Sequence, residues 1–211
     1  GGDQRAERME TVASGWGHTH DYPDWAVGLP RDEAGNYYLA LPCQQDQRSE
    51  AAATYRGAAL KLVPRLPTAD DPRRYAIDVI ARGLRFPMGI ALGTDGELFT
   101  TDNQGNYNPF NELNHIVRGA RYGFINRLEV KPDFRPPFES PAINVPHPWT
   151  RSVNGIFFLT AAAALERRGV TRRFGPFEGH LVGCEYNGRR LVRMSLEGVG
   201  NGYQGAVDPF R

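Results

Sequence analysis

Short apolar runs, each followed by a glycine-containing turn and a second apolar run, recur along the chain. In the clearest copy, residues 88–92 (MGIAL) and 97–101 (ELFTT) flank a turn at 94–96 (TDG). Two strands joined by Asp-Gly are typical of a tight β-hairpin, because both residues tolerate the positive φ angles that such a turn requires. We therefore predict a hairpin, with positive φ supplied by Asp95 and Gly96.

The same pattern appears in two further copies. Residues 25–30 and 37–41 flank a turn at 32–36, and 61 residues separate Gly28 from Gly89 and Gly35 from Gly96. A looser copy begins at 154–158, 66 residues after the Gly89 copy, carries an insertion, and resumes at 180–184 and 191–194. A period in the low sixties indicates repeated β-units, and its length implies large loops between strands.

The repeat predicts an all-β fold, namely about three to four blades of a β-propeller. The 24 glycines and 16 prolines of the 211 residues agree with many short strands. Fewer blades than the four to eight that close a ring predict a longer parent chain, or a partner, that covers the exposed edges. We assign residues 1–211 to part of one propeller domain whose N- and C-terminal blades are missing, with a short helix at 160–168 and an extended proline-rich connection at 132–148.

Composition and charge exclude several functional classes. Lys and Arg number 25 against 24 Asp and Glu, and the arginines are scattered, which predicts no nucleic-acid partner. No apolar run approaches the length of a membrane-spanning helix, and the chain begins without Met or a signal-peptide core. Cys43 and Cys184 lie outside any paired metal motif and are interpreted as a disulfide or as two buried thiols.

Three segments carry candidate chemistry. Arg85 precedes a proline-initiated strand, where its guanidinium could grip a carboxylate or serve as an ordinary surface residue. Residues 101–115 are dense in side-chain oxygens, which suits either a calcium site or a loop held by Asn and Asp turns. His18 and His20, two residues apart, could bind a metal, act as a base with Asp21, or lie in an exposed polar loop. The other histidines are expected to pack or cap.

Taken in order, these segments resemble the soluble quinoprotein glucose/sorbosone dehydrogenase family. His20 stands the matching interval before residues 25–28, and residues 85–90 (RFPMGI) match the family's arginine-initiated strand. Residues 112–116 (ELNHI) and 119–124 (GARYGF) match its E-I-N and N-Y-G-W motif. The match is strongest over about 40 residues and extends loosely from Gly15 to Leu196. The chain also looks similar to the propeller of large proteins that carry cytochrome c-like domains.

The resemblance implies a six-bladed propeller that oxidises a sugar or polyol with pyrroloquinoline quinone (PQQ) and calcium. His20 would be the catalytic base, and Arg85 and Phe86 would contact the quinone. The metal positions would be Gly105 and Asn106, through their backbone oxygens, and Tyr122. The resemblance further implies a periplasmic or secreted location and an electron acceptor such as a cytochrome c domain.

Departures from the family pattern support an alternative function. The family's Arg-Asn pair is Arg85-Phe86 here, its proline after the calcium-loop glycine is Asn106, and residues 181–188 lack its cofactor-binding lysine. These changes favour a non-catalytic propeller that binds carbohydrate or protein partners. A calcium-dependent hydrolase or lactonase would instead need converging acidic side chains, for which Asp102 and Glu112 are the candidates.

Overall fold

The computed structural model describes residues 6–7, 9–17, 24–43, 54–105, 108–126, 129, 131–160 and 173–210. His20, Asn106 and nearly all of the predicted helix at 160–168 lie outside the described residues. The described chain forms eleven strands and a short 3₁₀ helix at Gly175–Phe177. The strands are β1 (Tyr37–Ala40), β2 (Ala58–Pro64), β3 (Tyr75–Arg82), β4 (Pro87–Leu92), β5 (Leu98–Asp102), β6 (Phe110–His115), β7 (Ile143–Pro146), β8 (Val153–Phe158), β9 (Leu181–Glu185), β10 (Arg190–Val199) and β11 (Gly202–Pro209).

These strands form three antiparallel sheets in which chain neighbours are also sheet neighbours. The first sheet contains β1 to β3, the second β4 to β7, and the third β8 to β11. Successive antiparallel sheets, of which two have four strands and the first has three, are the arrangement of propeller blades. The predicted all-β fold is therefore confirmed, and the described residues supply three blades.

The edge of the first sheet next to β1 is less regular than predicted. Residues 25–30 were expected to form a strand, but this region pairs with β1 only through two isolated bridges, Val27 to Ala40 and Arg31 to Tyr37. The backbone leaves the extended region at Gly28, whose φ is +97°. A regular ladder cannot continue through such a residue, which explains the interruption.

The second sheet packs on both faces. One face presents Ile90 and Leu98 to alanines of the first sheet, and the other presents Phe99 and Leu113 to apolar residues of the third. Successive residues of a strand point to opposite faces, so a strand buried on both sides reads as a continuous apolar run. This is why residues 88–92 (MGIAL) are uninterrupted in apolar character, whereas in 97–101 (ELFTT) the apolar pair Leu98 and Phe99 is followed by the buried threonines Thr100 and Thr101.

The predicted hairpin forms with a different turn. Gly96 has a φ of +87° and its N–H donates to the Gly93 carbonyl at 3.1 Å, whereas Asp95 does not have positive φ. The equivalent turn of the first sheet has Gly35 at +86°, with its N–H bonded to the Asp32 carbonyl at 3.1 Å. Each loop thus needs a single left-handed residue, and the prediction of two was wrong.

Two further predictions are corrected. The proline-rich run at 132–148 contains β7, the fourth strand of the second sheet, because the alternating apolar residues Ile143 and Val145 face the core. Cys43 and Cys184 are both free; Cys43 is buried and Cys184 is exposed. They are therefore neither a disulfide nor two buried thiols. No helix among the described residues is long and apolar enough to cross a membrane.

Candidate active site

Two loops leave the second sheet at the same edge, and a single carboxylate joins them. β4 begins where β5 ends, so residues 83–86 lie beside the start of the loop that follows Asp102. Asp102 accepts the backbone N–H of Arg85 at 2.8 Å on Oδ2 and that of Phe86 at 2.6 Å on Oδ1. It also accepts the N–H of Asn103 at 2.9 Å. Asp102 therefore fixes the backbone on which the candidate cofactor residues stand.

A second buried carboxylate lies opposite Asp102. Glu112 is its register partner on β6, and the two residues are 1% and 6% exposed. Burial, and then the charge of Glu112, raise the pKa of Asp102 to about 7 although three N–H groups oppose the shift. Burial also raises the pKa of Glu112, against the amide donors Asn108 and Asn114. The two acids do converge, but inside the blade, which does not favour the hydrolase interpretation.

The Arg85 side chain closes the loop from the other side. Its Nη1 donates to the Gln104 carbonyl at 2.5 Å, and the Gln104 N–H is in turn bound by Asn111 Oδ1 at 2.9 Å. Asn111 is buried and donates to the Thr150 carbonyl of the connection into the third sheet at 2.5 Å. The half-buried guanidinium is thus held at the loop by a chain of contacts that crosses the second sheet.

Phe86 faces a second aromatic ring. Its ring packs edge-to-face on Trp25, with centroids 5.2 Å apart and an interplanar angle of 61°. Trp25 precedes the residues that bridge to β1 of the first sheet, whereas Phe86 precedes β4 of the second. This pair therefore spans the junction of two blades next to Arg85. Aromatic pairs in this geometry are favourable beyond their buried area. Phe86 therefore contributes an apolar wall where an amide would offer hydrogen bonds.

The predicted metal residues are separated. Gly105 lies in the Asp102 loop and forms a small bridge with Asn108, whose N–H approaches the Gly105 carbonyl at 3.4 Å. Tyr122 is 1% exposed; its hydroxyl donates to the His115 carbonyl and accepts the Val117 N–H at 3.0 Å. Burial raises the pKa of Tyr122 to about 12. Its hydroxyl is thus committed to the protein at the far end of β6.

The backbone of Tyr122 lies closer to the site than its hydroxyl does. Its N–H donates to the Arg82 carbonyl at 2.9 Å, three residues before Arg85. Among the described residues no group of three or more His, Cys, Asp and Glu side chains is arranged to hold a metal.

Sequence reasoning did not find the anchoring role of Asp102. It singled out this residue only as a possible acid of a hydrolase, because nothing in the local sequence shows that its carboxylate meets the N–H groups of Arg85 and Phe86. The one available signal was its position at the end of a buried strand, directly before an amide-rich loop. A buried carboxylate at such a point needs donors, and backbone N–H groups of the adjoining loop are the nearest source.

Comparison with solved structures shows the fold of sugar dehydrogenases. A putative oxidoreductase (glucose dehydrogenase) from Thermus thermophilus matches with a TM-score of 0.58 and 20% identity over 92% of this chain and 55% of its own. For the PQQ-bound aldose sugar dehydrogenase of Streptomyces coelicolor the TM-score is 0.55 and the identity 18%, over 88% and 49%. The apo-form soluble aldose sugar dehydrogenase of Escherichia coli gives 0.55 and 19%, over 86% and 52%.

The chain spans about half the length of these solved structures. It matches no protein-family profile and no curated protein sequence. At about 20% identity the structural likeness establishes the fold, and it confirms the propeller that the repeat and the resemblance predicted.

Proposed function

We propose that the protein containing this chain is a sugar or polyol dehydrogenase that uses PQQ and calcium. One observation carries the proposal: a propeller fold shared with a PQQ-bound aldose sugar dehydrogenase holds Arg85 rigidly at a loop edge through Asp102. The remaining blades would complete the ring. We also propose that the protein works outside the cytoplasm, in the periplasm or after secretion. It would pass electrons to an acceptor such as a cytochrome c domain.

The described residues fit an anionic quinone. Among them, the Arg85 guanidinium makes a single hydrogen bond, through Nη1 to Gln104, so its other nitrogens can bind a carboxylate of the cofactor. The Phe86 and Trp25 rings offer an apolar surface beside it. A planar, negatively charged ring system needs a cation at its edge and an apolar contact on its face, and this pair of features supplies both.

The loop after β5 fits a hard cation through its backbone. Within the described part of the chain, the Gly105 carbonyl accepts the Asn108 N–H at the long distance of 3.4 Å, and a carbonyl oxygen has a second lone pair to offer. Carbonyl oxygens are ligands that calcium prefers. When bound, the quinone would supply the hydride-accepting chemistry and calcium would supply a Lewis acid. His20 would remove the proton of the substrate hydroxyl, and Arg85 would hold the cofactor in place.

Dye reduction by the full-length protein tests this function. After addition of PQQ and calcium, a panel of aldoses and polyols should reduce a redox dye, and omission of the quinone should abolish the signal. His20→Ala should lower kcat by about 10²-fold or more, as expected for loss of a general base. His180→Ala is the matched control, because His180 packs against Phe177 of the 3₁₀ helix in the connection between β8 and β9, and it should leave kcat unchanged. Equal kcat values in the two variants would contradict the assignment of His20.

The contact between Phe86 and Trp25 favours a second candidate, a non-catalytic propeller that binds carbohydrate or a protein partner. An aromatic pair of this kind is a ready surface for the apolar face of a sugar ring. In that case the full-length protein would bind sugars without quinone or calcium, and no dye reduction would appear with any substrate. Phe86→Asn separates the two functions, because restoring the amide should strengthen quinone binding in a dehydrogenase and weaken sugar binding in a platform.

A further inference from the structure

Arg56 is a buried arginine that binds backbone on both sides of the candidate base. It precedes β2 and is 4% exposed. Its Nη2 donates to the carbonyls of Gly17 at 2.9 Å and Asp24 at 3.3 Å, and Nη1 donates to that of Trp25 at 3.0 Å. Gly17 precedes and Asp24 follows the stretch of sequence that contains His20. One guanidinium therefore holds the two described residues that flank the candidate base.

An ion pair reinforces these contacts. Arg56 Nε lies 3.6 Å from Asp24 Oδ1, and both side chains are largely buried. Three carbonyls and a carboxylate around one guanidinium use the planar fork of donors that arginine alone provides. A buried charge with this many partners is fixed in orientation, because any rotation would leave some of its N–H groups unpaired.

The backbone next to Arg56 is bonded to the Arg85 segment. The Gly57 carbonyl accepts the Leu84 N–H at 3.0 Å, and the Cys43 N–H donates to the Arg85 carbonyl at 2.6 Å. Gly57 in turn donates to the Leu41 carbonyl at 2.8 Å, so the turn carrying Arg56 is joined to β1's continuation and to the Arg85 loop. The same few residues thus contact both segments of the candidate site.

We propose that Arg56 is a positioning residue that fixes Gly17, Asp24 and Trp25, the described residues before and after the candidate base, relative to the Arg85 loop. It acts on the site indirectly, through its hydrogen bonds to the backbone carbonyls of Gly17, Asp24 and Trp25. Trp25 extends the effect, since its carbonyl is bound by Arg56 and its ring packs on Phe86. The effect on catalysis rests on the proposed function. The coupling of Gly17, Asp24 and Trp25 to the Arg85 loop does not depend on that function.

Substitution by lysine tests the claim in the full-length protein. Arg56→Lys keeps the charge but offers one ammonium group, which cannot reach three carbonyls and Asp24 together. Arg190→Lys is the matched control, because Arg190 likewise donates to a carbonyl, that of Trp149 at 2.6 Å, and stacks on its ring in the third sheet. Amide hydrogen exchange by mass spectrometry is measured on both variants, without cofactor, for peptides that cover residues 16–25 and 83–87.

Arg56→Lys is expected to raise exchange at least tenfold in both peptides, while Arg190→Lys leaves both unchanged. Unchanged exchange at 83–87 in Arg56→Lys would overturn the coupling. With PQQ, calcium and a sugar, kcat should fall by about 10²-fold at nearly constant KM, as expected when a base is misplaced by about 1 Å. A normal kcat in Arg56→Lys would overturn the catalytic consequence, whereas absence of activity in the wild type would refute the proposed function and leave the exchange result standing.

Discussion

Gly28 lies so close to Ile90 that a Cβ atom on the glycine would sit 1.7 Å from Ile90 Cγ2. One sheet further on, a Cβ on Gly89 would lie 3.0 Å from both the N and Cγ1 atoms of Ile156. Ile90 follows Gly89 in the chain and Ile156 follows Gly155, so each repeated glycine receives the isoleucine of the next copy. The sequence repeat, with offsets of 61 residues from Gly28 to Gly89 and 66 from Gly89 to Gly155, is therefore also a repeat of the packing between blades.

Replacing Gly28 with alanine should destabilise the protein strongly. The methyl group meets Ile90, and the residue has a φ of +97°, so an overpacking cost adds to a backbone cost. Together these are expected to lower the free energy of unfolding by about 2–5 kcal/mol. Gly96→Ala is the control, because its φ of +87° is similar but nothing lies within 4 Å, and it should cost only about 1–2 kcal/mol.

Urea unfolding measures how much of the loss in stability comes from the clash with Ile90. It is carried out on both variants and on the double variant Gly28→Ala/Ile90→Ala. Removing the Ile90 side chain should make the glycine substitution cheaper, giving a coupling energy of the opposite sign to the single losses. Equal costs for Gly28→Ala and Gly96→Ala would show that the contact with Ile90 does not limit the approach of the blades.

Titration of Asp102 should make the stability depend on pH. Burial and the Glu112 charge raise the pKa of Asp102 from 3.8 to about 7, so between pH 4 and 7 the folded protein keeps a proton that the unfolded chain has released. The free energy of unfolding therefore falls as pH rises through this window, by up to about 1.4 kcal/mol per pH unit from this one group. Glu112, whose pKa is also raised, adds a slope of the same sign.

Asp102→Asn isolates this contribution. The amide oxygen can still accept N–H groups on one side, but the amide nitrogen faces the Arg85 N–H, so the variant should be less stable than wild type at pH 4. The deficit should shrink towards pH 7, since residue 102 can release a proton in the unfolded chain only in the wild type, and this release lowers only the wild type's free energy of unfolding. Chemical unfolding at several pH values measures the difference, and parallel profiles for the two proteins would contradict the assigned pKa.

Tyr122→Phe tests a structural role of the hydroxyl. The substitution leaves the His115 carbonyl and the Val117 N–H without a partner and should lower the free energy of unfolding by about 1–3 kcal/mol. Tyr38→Phe, which removes a half-buried hydroxyl bound to Asp32 at 2.9 Å, should cost less. Calcium affinity, measured alongside stability, should be the same in Tyr122→Phe as in wild type. A large loss of calcium binding would instead make the hydroxyl a metal ligand.

Thiol labelling distinguishes the two cysteines. Because Cys184 is exposed and Cys43 is buried, a thiol reagent should label one of them rapidly in the folded protein and both in urea. Cys184→Ser should abolish the rapid reaction, and Cys43→Ser should retain it. Absence of any rapid labelling in the wild type would mean that Cys184 is protected.

The sequence was sufficient for the blade repeat because the features that mark it are local. The left-handed turn glycines Gly35 and Gly96 recur 61 residues apart. The glycines Gly28, Gly89 and Gly155, one in each copy of the repeat, recur at spacings of 61 and 66 residues. The irregular pairing of residues 25–30 could not be read from apolar content, since it depends on the conformation of one glycine.

The organisation of the candidate site could be predicted only in part. Arg85, Phe86 and Gly105 were identified, by position and by resemblance, and the structure places them around Asp102. The contacts that hold them join distant parts of the chain: Asp102 to Arg85 across 17 residues and Arg56 to Gly17 across 39. A single arginine or aspartate carries no sequence pattern that reveals such a partner, so these roles required the structure.

Calorimetric titration of the full-length protein with PQQ in the presence of calcium tests the proposed function most directly. Wild type should bind with a Kd of about 1 µM or tighter, and Arg85→Ala should weaken binding by at least about tenfold, the expected loss of a charge-assisted contact. His20→Ala should bind like wild type, because a base for the substrate is not needed to hold the cofactor. No measurable binding to wild type, or an unchanged Kd in Arg85→Ala, would contradict the dehydrogenase assignment.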